Sequence, residues 1–264
     1  MLSFLNNEHG LRQPRLKNYA LHALHRLGLR RFREGEVELP GGLTIGVREG
    51  SHDRLIVGEI WQDQIYPLDD LRFSPGDLVL DIGAQIGSFS LLAASRGARV
   101  IAFEPCPMNL RMLRANVRRN GMEDRIEVRA MAVSSPGTTE LRLFQSYTNL
   151  GGHSSYGWVG PPVDVACTSL DVVLREEGDA RVIKVDAEGA EAAIFFGAGA
   201  APLARTELVF AEVIDHPAIT RWQGDGEPVP DHAGLMAFFE QAGFQVSRDA
   251  LTKVVRGRRV CESL

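Results

Sequence analysis

The stretch that decides the fold of this chain is Asp81-Ile82-Gly83-Ala84-Gln85-Ile86-Gly87. An apolar run, 78–80, leads into it, and an apolar-rich segment, 89–94, follows it. A second apolar run then ends in Glu104 and Pro105. This order predicts a strand, a turn that contains glycine, a helix and a second strand that ends in an acid.

Such an arrangement predicts a pocket for a nucleoside. Glycine lets the backbone approach a ligand where a Cβ atom would collide, and the helix that starts near Gly87 presents its N–H groups and positive dipole end. The carboxylate of Glu104 can accept hydrogen bonds from both hydroxyls of a ribose.

The dinucleotide fingerprint would need glycine at positions 83, 85 and 88, whereas the chain has Gln85 and Ser88. The pattern therefore disfavours NAD; a tight turn without any ligand is the alternative.

Composition sets limits on the class of protein. The length of 264 residues suits one α/β domain with an N-terminal addition, and 44% apolar residues suffice for a sizeable core. Three separated cysteines without a C-x-x-C pair argue against a zinc ribbon or a disulfide scaffold and for a reducing compartment. A net charge of −5 disfavours nucleic acid as a partner. Without a visible signal peptide or membrane span, we expect a cytoplasmic protein.

We divide the chain into an N-terminal extension, 1–50, and a larger domain, 51–264. Residues 1–33 are basic and predict an amphipathic helix that packs on the domain through apolar side chains, with a solvated basic face and His22 and His25 at its surface. The alternative is a basic contact for an anionic substrate, carrier or partner. A hairpin is expected over 37–47, around Pro40-Gly41-Gly42. The apolar helix positions are Leu16, Tyr19, Ala20, Ala23, Leu24 and Leu27.

From residue 78 onward, predicted strands and helices alternate, which is typical of a doubly wound α/β fold. We expect a mostly parallel, seven-stranded Rossmann-like sheet with an antiparallel strand at one edge, plus the helix and hairpin extension. Irregular stretches over 145–166 and 214–231 are expected to shape a site. The strand candidates are 78–82, 99–104, 126–132, 139–144, 181–186, 207–213, 243–247 and 251–256. The helix candidates are 87–96, 107–120, 169–176, 189–197 and 232–242.

A second constellation follows another buried strand, at Val182-Ile183-Lys184-Val185-Asp186-Ala187-Glu188-Gly189-Ala190-Glu191. Ligands of open α/β sheets bind at the carboxyl ends of the strands, where we expect Asp81, Glu104 and Asp186 to meet. Glu188 and Glu191 are either part of this site or acids that stabilise the first turn of a helix.

These motifs together resemble the FkbM family of methyltransferases that use S-adenosylmethionine (SAM). Residues 81–87 are similar to that family's D-I-G-A-N-x-G, with Gln85 in place of the usual Asn, and 183–191 are similar to its I-K-I-D-V-E-G-A-E. The resemblance covers roughly 55–245, in matching order. The further similar segments are Glu59 to Tyr66, Gly151 to Ser155, Thr168 to Asp171 and Glu207 to Glu212.

The resemblance implies SAM as cofactor, S-adenosylhomocysteine (SAH) as product, and methylation of a hydroxyl on a natural product or sugar. The residues expected at the cofactor are Tyr66, Asp81, Gly83, Gln85, Gly87, Glu104, Pro105, Asn109, Met131, Ala132 and Asp186. The candidates for the catalytic base are Asp186, Glu212, His153 and His216. No metal site is expected; a divalent ion held by Asp186, Glu212 and His216 is the alternative.

The acceptor itself is not specified by the sequence. We expect a small-molecule acceptor, no nucleic acid and no membrane span, and we leave a homo-oligomer open. A glycan or carrier-bound acceptor, or a SAM-binding module without turnover, are the alternatives. The side chains expected to line the acceptor pocket are Tyr147, His153, Tyr156, Trp158, His216 and Trp222.

Overall fold

The structure is a computed structural model that describes residues 12–27, 32–147, 149–155, 160–213, 232–249 and 251–259. The elements before the central sheet are α1 (Arg12–Arg26), β1 (Glu34–Leu39), β2 (Leu43–Arg48) and α2 (Asp53–Trp61). Strands β1 and β2 pair antiparallel around a turn in which Gly41 and Gly42 both have a φ of 78°. The predicted helix and hairpin extension is therefore confirmed.

A seven-stranded sheet forms the centre of the fold. Its order is β11-β12-β10-β9-β3-β4-β5, and every strand is parallel to its neighbours except β12, which runs antiparallel to β10 and β11. The predicted antiparallel strand thus belongs to the edge pair, with β11 outermost. The strands are β3 (Leu78–Ile82), β4 (Arg99–Phe103), β5 (Ile126–Arg129), β9 (Ala180–Val185), β10 (Leu208–Glu212), β11 (Gln245–Arg248) and β12 (Val254–Arg258).

Helices cover both faces of this sheet, because its strands are apolar on both sides. Along β3, Val79 belongs to the apolar cluster on one face, while Leu80 and Ile82 belong to the cluster on the other. The first cluster includes α3 (Ser88–Ser95), α4 (Pro107–Arg119) and the hairpin. The second includes α5 (Leu170–Glu177), α6 (Glu191–Ala198) and α7 (His232–Gln241). The doubly wound prediction is confirmed.

A small second sheet corrects three predictions. It has the order β6-β8-β7, with β8 parallel to β6 and antiparallel to β7. The predicted strand 126–132 is divided between the two sheets, the predicted strand 139–144 lies in the small sheet, and the last part of the stretch 145–166 is a strand rather than irregular. We overlooked β8 because Pro161 and Pro162 stand at its start, and prolines are typical of turns and loops. The strands are β6 (Ala132–Ser134), β7 (Glu140–Phe144) and β8 (Pro162–Ser169).

Helix α1 contacts the domain through polar side chains, so the predicted apolar contact face is wrong. Leu24 and Leu27 are 40% and 70% exposed, whereas Asn18 is buried. The Asn18 Oδ1 accepts a hydrogen bond from the Tyr147 backbone N–H at 2.6 Å, and His22 Nδ1 lies 2.7 Å from the Tyr147 hydroxyl. The His25 ring also packs on Tyr147. The contact through Asn18 pairs a buried backbone N–H that would otherwise lack a partner.

The hairpin is fastened to the domain by two asparagines at the C-terminal end of α4, Asn116 within the helix and Asn120 directly after it. Asn116 is fully buried and forms hydrogen bonds with both the N–H and the carbonyl of Gly46, at 2.7 and 3.1 Å. Asn120 does the same with Thr44, at 2.9 and 2.7 Å. Within the described residues, no helix is both long enough and apolar enough to cross a membrane.

Candidate active site

A cavity of about 260 Å³ opens at the carboxyl ends of β3, β4, β9 and β10. The structure therefore brings the residues after four parallel strands into one place, as expected for an open α/β sheet. The site residues predicted from the sequence that line it are Tyr66, Gly83, Gln85, Glu104, Pro105, Asn109, Met131, Ala132, His153, Asp186 and Glu212.

Gly83 is required where the loop after β3 meets the loop after β9. Its φ is 78°, and a Cβ atom there would lie 1.8 Å from the carbonyl oxygen of Asp186. The N–H groups of Gly83 and Ala84 both donate to the Phe103 carbonyl, at 3.0 and 2.9 Å. Only glycine combines this conformation with this close approach, so the two loops can form one wall of the cavity.

Glu104 lies at the end of β4 with its carboxylate held by backbone N–H groups. One oxygen accepts from Gln85 at 2.8 Å and the other from Cys106 at 2.7 Å. Burial raises the pKa of Glu104 to about 7, although these hydrogen bonds oppose the shift. Each carboxylate oxygen has a further lone pair, so this side chain can still accept hydrogen bonds from a ligand.

Gln85 connects the glycine loop to the N-terminal part of the chain. It has a φ of 53°, and its Nε2 donates to Asp53 Oδ1 at 2.7 Å. Asp53 and Arg48 form a fully buried ion pair at 2.8 Å. Gln85 thus links the glycine loop to the first residue of α2.

Asp81 lies behind the cavity wall rather than at its surface. It is fully buried, accepts a hydrogen bond from the Ser90 hydroxyl at 2.6 Å, and pairs with Lys184 Nζ at 3.2 Å. Gly87 lies at the start of α3, where a Cβ atom would collide with Leu113. These two predicted site residues shape the loop around the cavity.

Lys184 is a cavity residue that the sequence interpretation missed. Its Nζ donates to the Gly83 carbonyl at 2.8 Å and lies 3.7 Å from Asp186 Oδ2. Burial alone would lower the pKa of Lys184, but the charges of Asp81 and Asp186 raise it. The signal was present: a lysine between apolar residues of a buried strand needs an acidic partner.

Three carboxylates, Asp186, Glu188 and Glu212, form one side of the cavity, which we call the acidic wall. Burial raises the pKa of all three, and the charge of Asp186 adds to this at Glu188 and Glu212. The pKa of Glu212 is raised to about 8, and its Oε2 accepts a hydrogen bond from the Tyr66 hydroxyl at 2.9 Å. The wall can therefore hold a proton near neutral pH or stabilise a positive charge.

Glu191 has a different place from its neighbour Glu188. It is 1% exposed and accepts hydrogen bonds from the N–H groups of Ala187 and Gly189, at 2.8 and 3.1 Å. Burial raises its pKa to about 7. Of the two acids left open by the sequence, Glu188 lines the cavity and Glu191 braces the turn that leads into α6.

His153 lines the cavity from the segment 149–155 and is 7% exposed. Its Nδ1 accepts a hydrogen bond from the Ser146 N–H at 2.9 Å. Burial, aided by the charge of Arg48, lowers the pKa of His153 to about 3. The ring is therefore neutral at physiological pH.

The other predicted acceptor residues are placed elsewhere or lie outside the described part of the chain. Tyr147 is buried against α1 and is not a cavity residue in the part of the chain that the structure describes. Among the described side chains, no group of three or more histidines, cysteines or acids could hold a metal ion. The predicted residues outside the described ranges are Tyr156, Trp158, His216 and Trp222.

Comparison with known proteins gives the family. The sequence model of the methyltransferase FkbM domain matches residues 81–246. The 31-O-demethyl-FK506 methyltransferase FkbM of Streptomyces tacrolimicus is 27% identical over 68% of this chain and 81% of its own length. The methyltransferase sdnD of Sordaria araneosa is 27% identical over 74% of this chain and 83% of its own.

Two further matches either cover only a small part of the relative or have a lower sequence identity. The AMB antimetabolite synthetase AmbE of Pseudomonas aeruginosa is 28% identical over 82% of this chain, but the match spans only 12% of the synthetase. Among solved structures, the mitomycin 7-O-methyltransferase MmcR is 14% identical over 79% of this chain and 55% of its own, with a TM-score of 0.41. Because the FkbM domain model covers more than half of the sequence, this chain belongs to the FkbM methyltransferase family.

Proposed function

We propose that this protein transfers a methyl group from SAM to a hydroxyl oxygen of a small molecule, a natural product or a sugar. The observation that carries the proposal is the meeting, in one cavity, of the glycine loop and Glu104 with the carboxylates of Asp186 and Glu212. The glycine loop and Glu104 suit the nucleoside of a cofactor, and the carboxylates of Asp186 and Glu212 suit the reacting groups. Membership of the FkbM family and the O-methylation stated in one relative's name support the same reaction.

The residues present fit SAM in a specific way. Glu104 would accept hydrogen bonds from the ribose hydroxyls, and Gly83, packed against the Asp186 carbonyl, would hold the loop backbone beside them. Pro105, Met131 and Ala132 supply apolar surface for the base. The acidic wall would hold the positively charged part of the cofactor, because burial strengthens the attraction between opposite charges. Asp81 acts one step away, by holding Lys184 and the start of α3 in position.

Transfer requires the hydroxyl to be aligned and to lose its proton. SAM supplies a methyl group on a sulfonium, so the acceptor oxygen forms the new C–O bond as the C–S bond breaks and its electron pair stays on sulfur. We assign removal of the hydroxyl proton to Asp186 or Glu212, the acidic-wall residues that follow β9 and end β10. His153 is not suited to this role, because its Nδ1 is already an acceptor for Ser146 and the ring proton must then be on Nε2.

Calorimetric titration with SAM, SAH and NAD tests the cofactor assignment. We expect saturable binding of SAM and SAH, no binding of NAD, and at least tenfold weaker SAM binding in Glu104→Ala. The exposed variant Glu123→Ala is the matched control and should bind like the wild type. Absence of SAM and SAH binding would overturn the proposal; binding without methylation of any hydroxyl acceptor would favour a non-catalytic SAM-binding module.

The match to AmbE favours a second candidate, in which another protein domain presents the acceptor. The matched segment is a small part of a much longer synthetase, so a domain of this kind can operate beside other domains. The test compares methylation of the same hydroxy acid in two forms, the free acid and its thioester on a carrier protein. Turnover of the carrier-bound form alone would select this second candidate.

A further inference from the structure

A buried ion pair lies in the part of the chain that precedes the segment matched by the family model. Arg48 ends β2 and Asp53 begins α2, and both side chains are at most 2% exposed. The Arg48 backbone N–H and Nε donate to Asp53 Oδ2 at 2.9 and 2.8 Å, and Nη2 donates to Oδ1 at 2.9 Å. Neither residue is among the described residues that line the cavity. Removing two charges from water costs free energy, so packing alone does not account for this pair.

The pair presents an acceptor to the glycine loop. Gln85 Nε2 donates to Asp53 Oδ1 at 2.7 Å, and Gln85 Oε1 accepts from the Ile86 N–H at 3.0 Å. A carboxylate that is paired with an arginine offers only acceptors, so the nitrogen of the glutamine amide must point toward Asp53. Contacts at both ends therefore fix the orientation of this amide.

The fixed side chain also maintains the backbone conformation of residue 85. Gln85 has a φ of 53°, in the left-handed region that residues other than glycine rarely adopt. In this conformation its N–H donates to Glu104 Oε2 at 2.8 Å, while the other carboxylate oxygen accepts from the Cys106 N–H at 2.7 Å. The orientation of the Glu104 carboxylate therefore depends on residue 85, which is held in turn by Asp53.

We propose that Asp53, held by Arg48, is a positioning residue for the cofactor: it fixes Gln85, and Gln85 holds the carboxylate of Glu104 that would accept the ribose hydroxyls. Burial raises the pKa of Glu104, and the charge of Arg48 is one of the effects that oppose this shift, so the pair also acts on that carboxyl through its charge. This inference rests on the proposed function, and it gives residues outside the matched segment 81–246 a role in cofactor binding.

Exchanging the donor and the acceptor between residues 53 and 85 tests the inference. Asp53→Asn keeps the shape, but either orientation of its amide turns an N–H₂ group toward donors of Arg48 or Gln85. We expect this variant to bind SAH about tenfold more weakly in calorimetric titration. Gln85→Glu sets a second carboxylate against Asp53 and should weaken binding at least as much. In the double variant Asp53→Asn/Gln85→Glu the new amide can donate to the new carboxylate, so the affinity should return to within about threefold of the wild type.

A second double variant tests whether Asp53 acts through Glu104. Asp53→Asn should weaken SAH binding in the wild-type protein but add little in the Glu104→Ala background, because the carboxylate that it positions is already gone. Glu49→Gln, which breaks the exposed pair with Arg54 on the same segment, is the matched control and should bind SAH like the wild type.

Thermal unfolding of each variant separates positioning from support of the fold. A purely structural role of Asp53 predicts that SAH affinity follows stability and that the exchange of donor and acceptor does not restore it. Either that pattern or an unchanged SAH affinity in Asp53→Asn would overturn the inference. Absence of SAM and SAH binding to the wild-type protein would overturn the proposed function instead.

Discussion

Lys184 and Asp81 show at the scale of single residues how the cavity is supported. Removing Lys184 with Lys184→Met leaves the fully buried Asp81 without its cation, so we expect the free energy of unfolding to fall by about 3–5 kcal/mol. The double variant Asp81→Asn/Lys184→Met removes both charges and should recover part of that loss. Urea unfolding measures both, and a double variant less stable than Lys184→Met would contradict the pairing.

Glu212 gives a prediction for pH dependence. A base must be ionised to accept a proton, and the pKa of Glu212 is raised to about 8, so kcat/KM should increase with pH through this value. The Tyr66 hydrogen bond opposes the raised pKa, so Tyr66→Phe should shift the increase to higher pH. The exposed Tyr19→Phe serves as a control. A wild-type pH profile in Glu212→Gln would show that another group is the base.

At the scale of elements, the contact between the hairpin and α4 decides whether the N-terminal extension stays in place. Asn116 bonds to Gly46 and, at 2.9 Å, to the Ile86 carbonyl in the glycine loop, whereas Asn120 bonds to the hairpin and to α4 itself. We expect Asn116→Ala to cost about 2–4 kcal/mol of stability, more than Asn120→Ala, because it leaves several buried backbone groups unpaired.

Cofactor affinity provides a second measurement on the same pair of variants. Asn116→Ala should weaken SAM binding, because the loop loses its support at Ile86, while Asn120→Ala should leave it close to the wild-type value. Urea unfolding and calorimetry together therefore separate support of the loop from attachment of the hairpin. Equal effects of the two variants on SAM affinity would contradict this division.

For the whole molecule, the buried carboxyl groups predict that the unliganded protein loses stability as the pH rises from 6.5 to 8.5. The pKa values of Glu104 and Glu191 are raised to about 7 and that of Glu212 to about 8. In this window the folded state still binds protons that the unfolded chain has already released, so the free energy of unfolding decreases with pH. His153 is neutral in both states over most of the window.

Thermal unfolding at a series of pH values measures this effect. We expect the midpoint temperature to fall across the window, and Glu212→Gln, which cannot titrate, to show a smaller decrease. A midpoint that rises with pH, or an unchanged slope in the variant, would contradict the assignment of the raised pKa values.

The central sheet could be predicted from the sequence because local signals and tertiary packing agree there. The strands over 78–82 and 180–185 are mostly apolar and buried, and Gly83 and Asp186 follow them directly. Both the strands and the end of the sheet where a ligand would bind could therefore be predicted. The small sheet was harder, since Pro162 and the polar residues of β8 are typical of a loop. The contact face of α1 was unpredictable, because Asn18 is buried by a partner 129 residues away.

The candidate site also contains features that the sequence predicts and features that it does not. Positions such as Gly83 and Glu104 could be proposed from motif spacing, because the backbone geometry of the turn dictates them. The tautomer of His153 and the brace formed by Glu191 depend on single hydrogen bonds to backbone N–H groups. Such bonds are made only once distant segments have been brought together, so no pattern in the sequence reports them.

The link from Gln85 to Asp53 has a consequence for recombining family members. Asp53 precedes the central sheet in the chain, yet its carboxylate accepts a hydrogen bond from the Gln85 side chain of the glycine loop. A chimera that exchanges residues 1–60 between two relatives therefore also replaces the carboxylate that holds Gln85 in the glycine loop. A transplant of this segment brings Arg48 and Asp53, so Gln85 should be taken from the same parent as the segment.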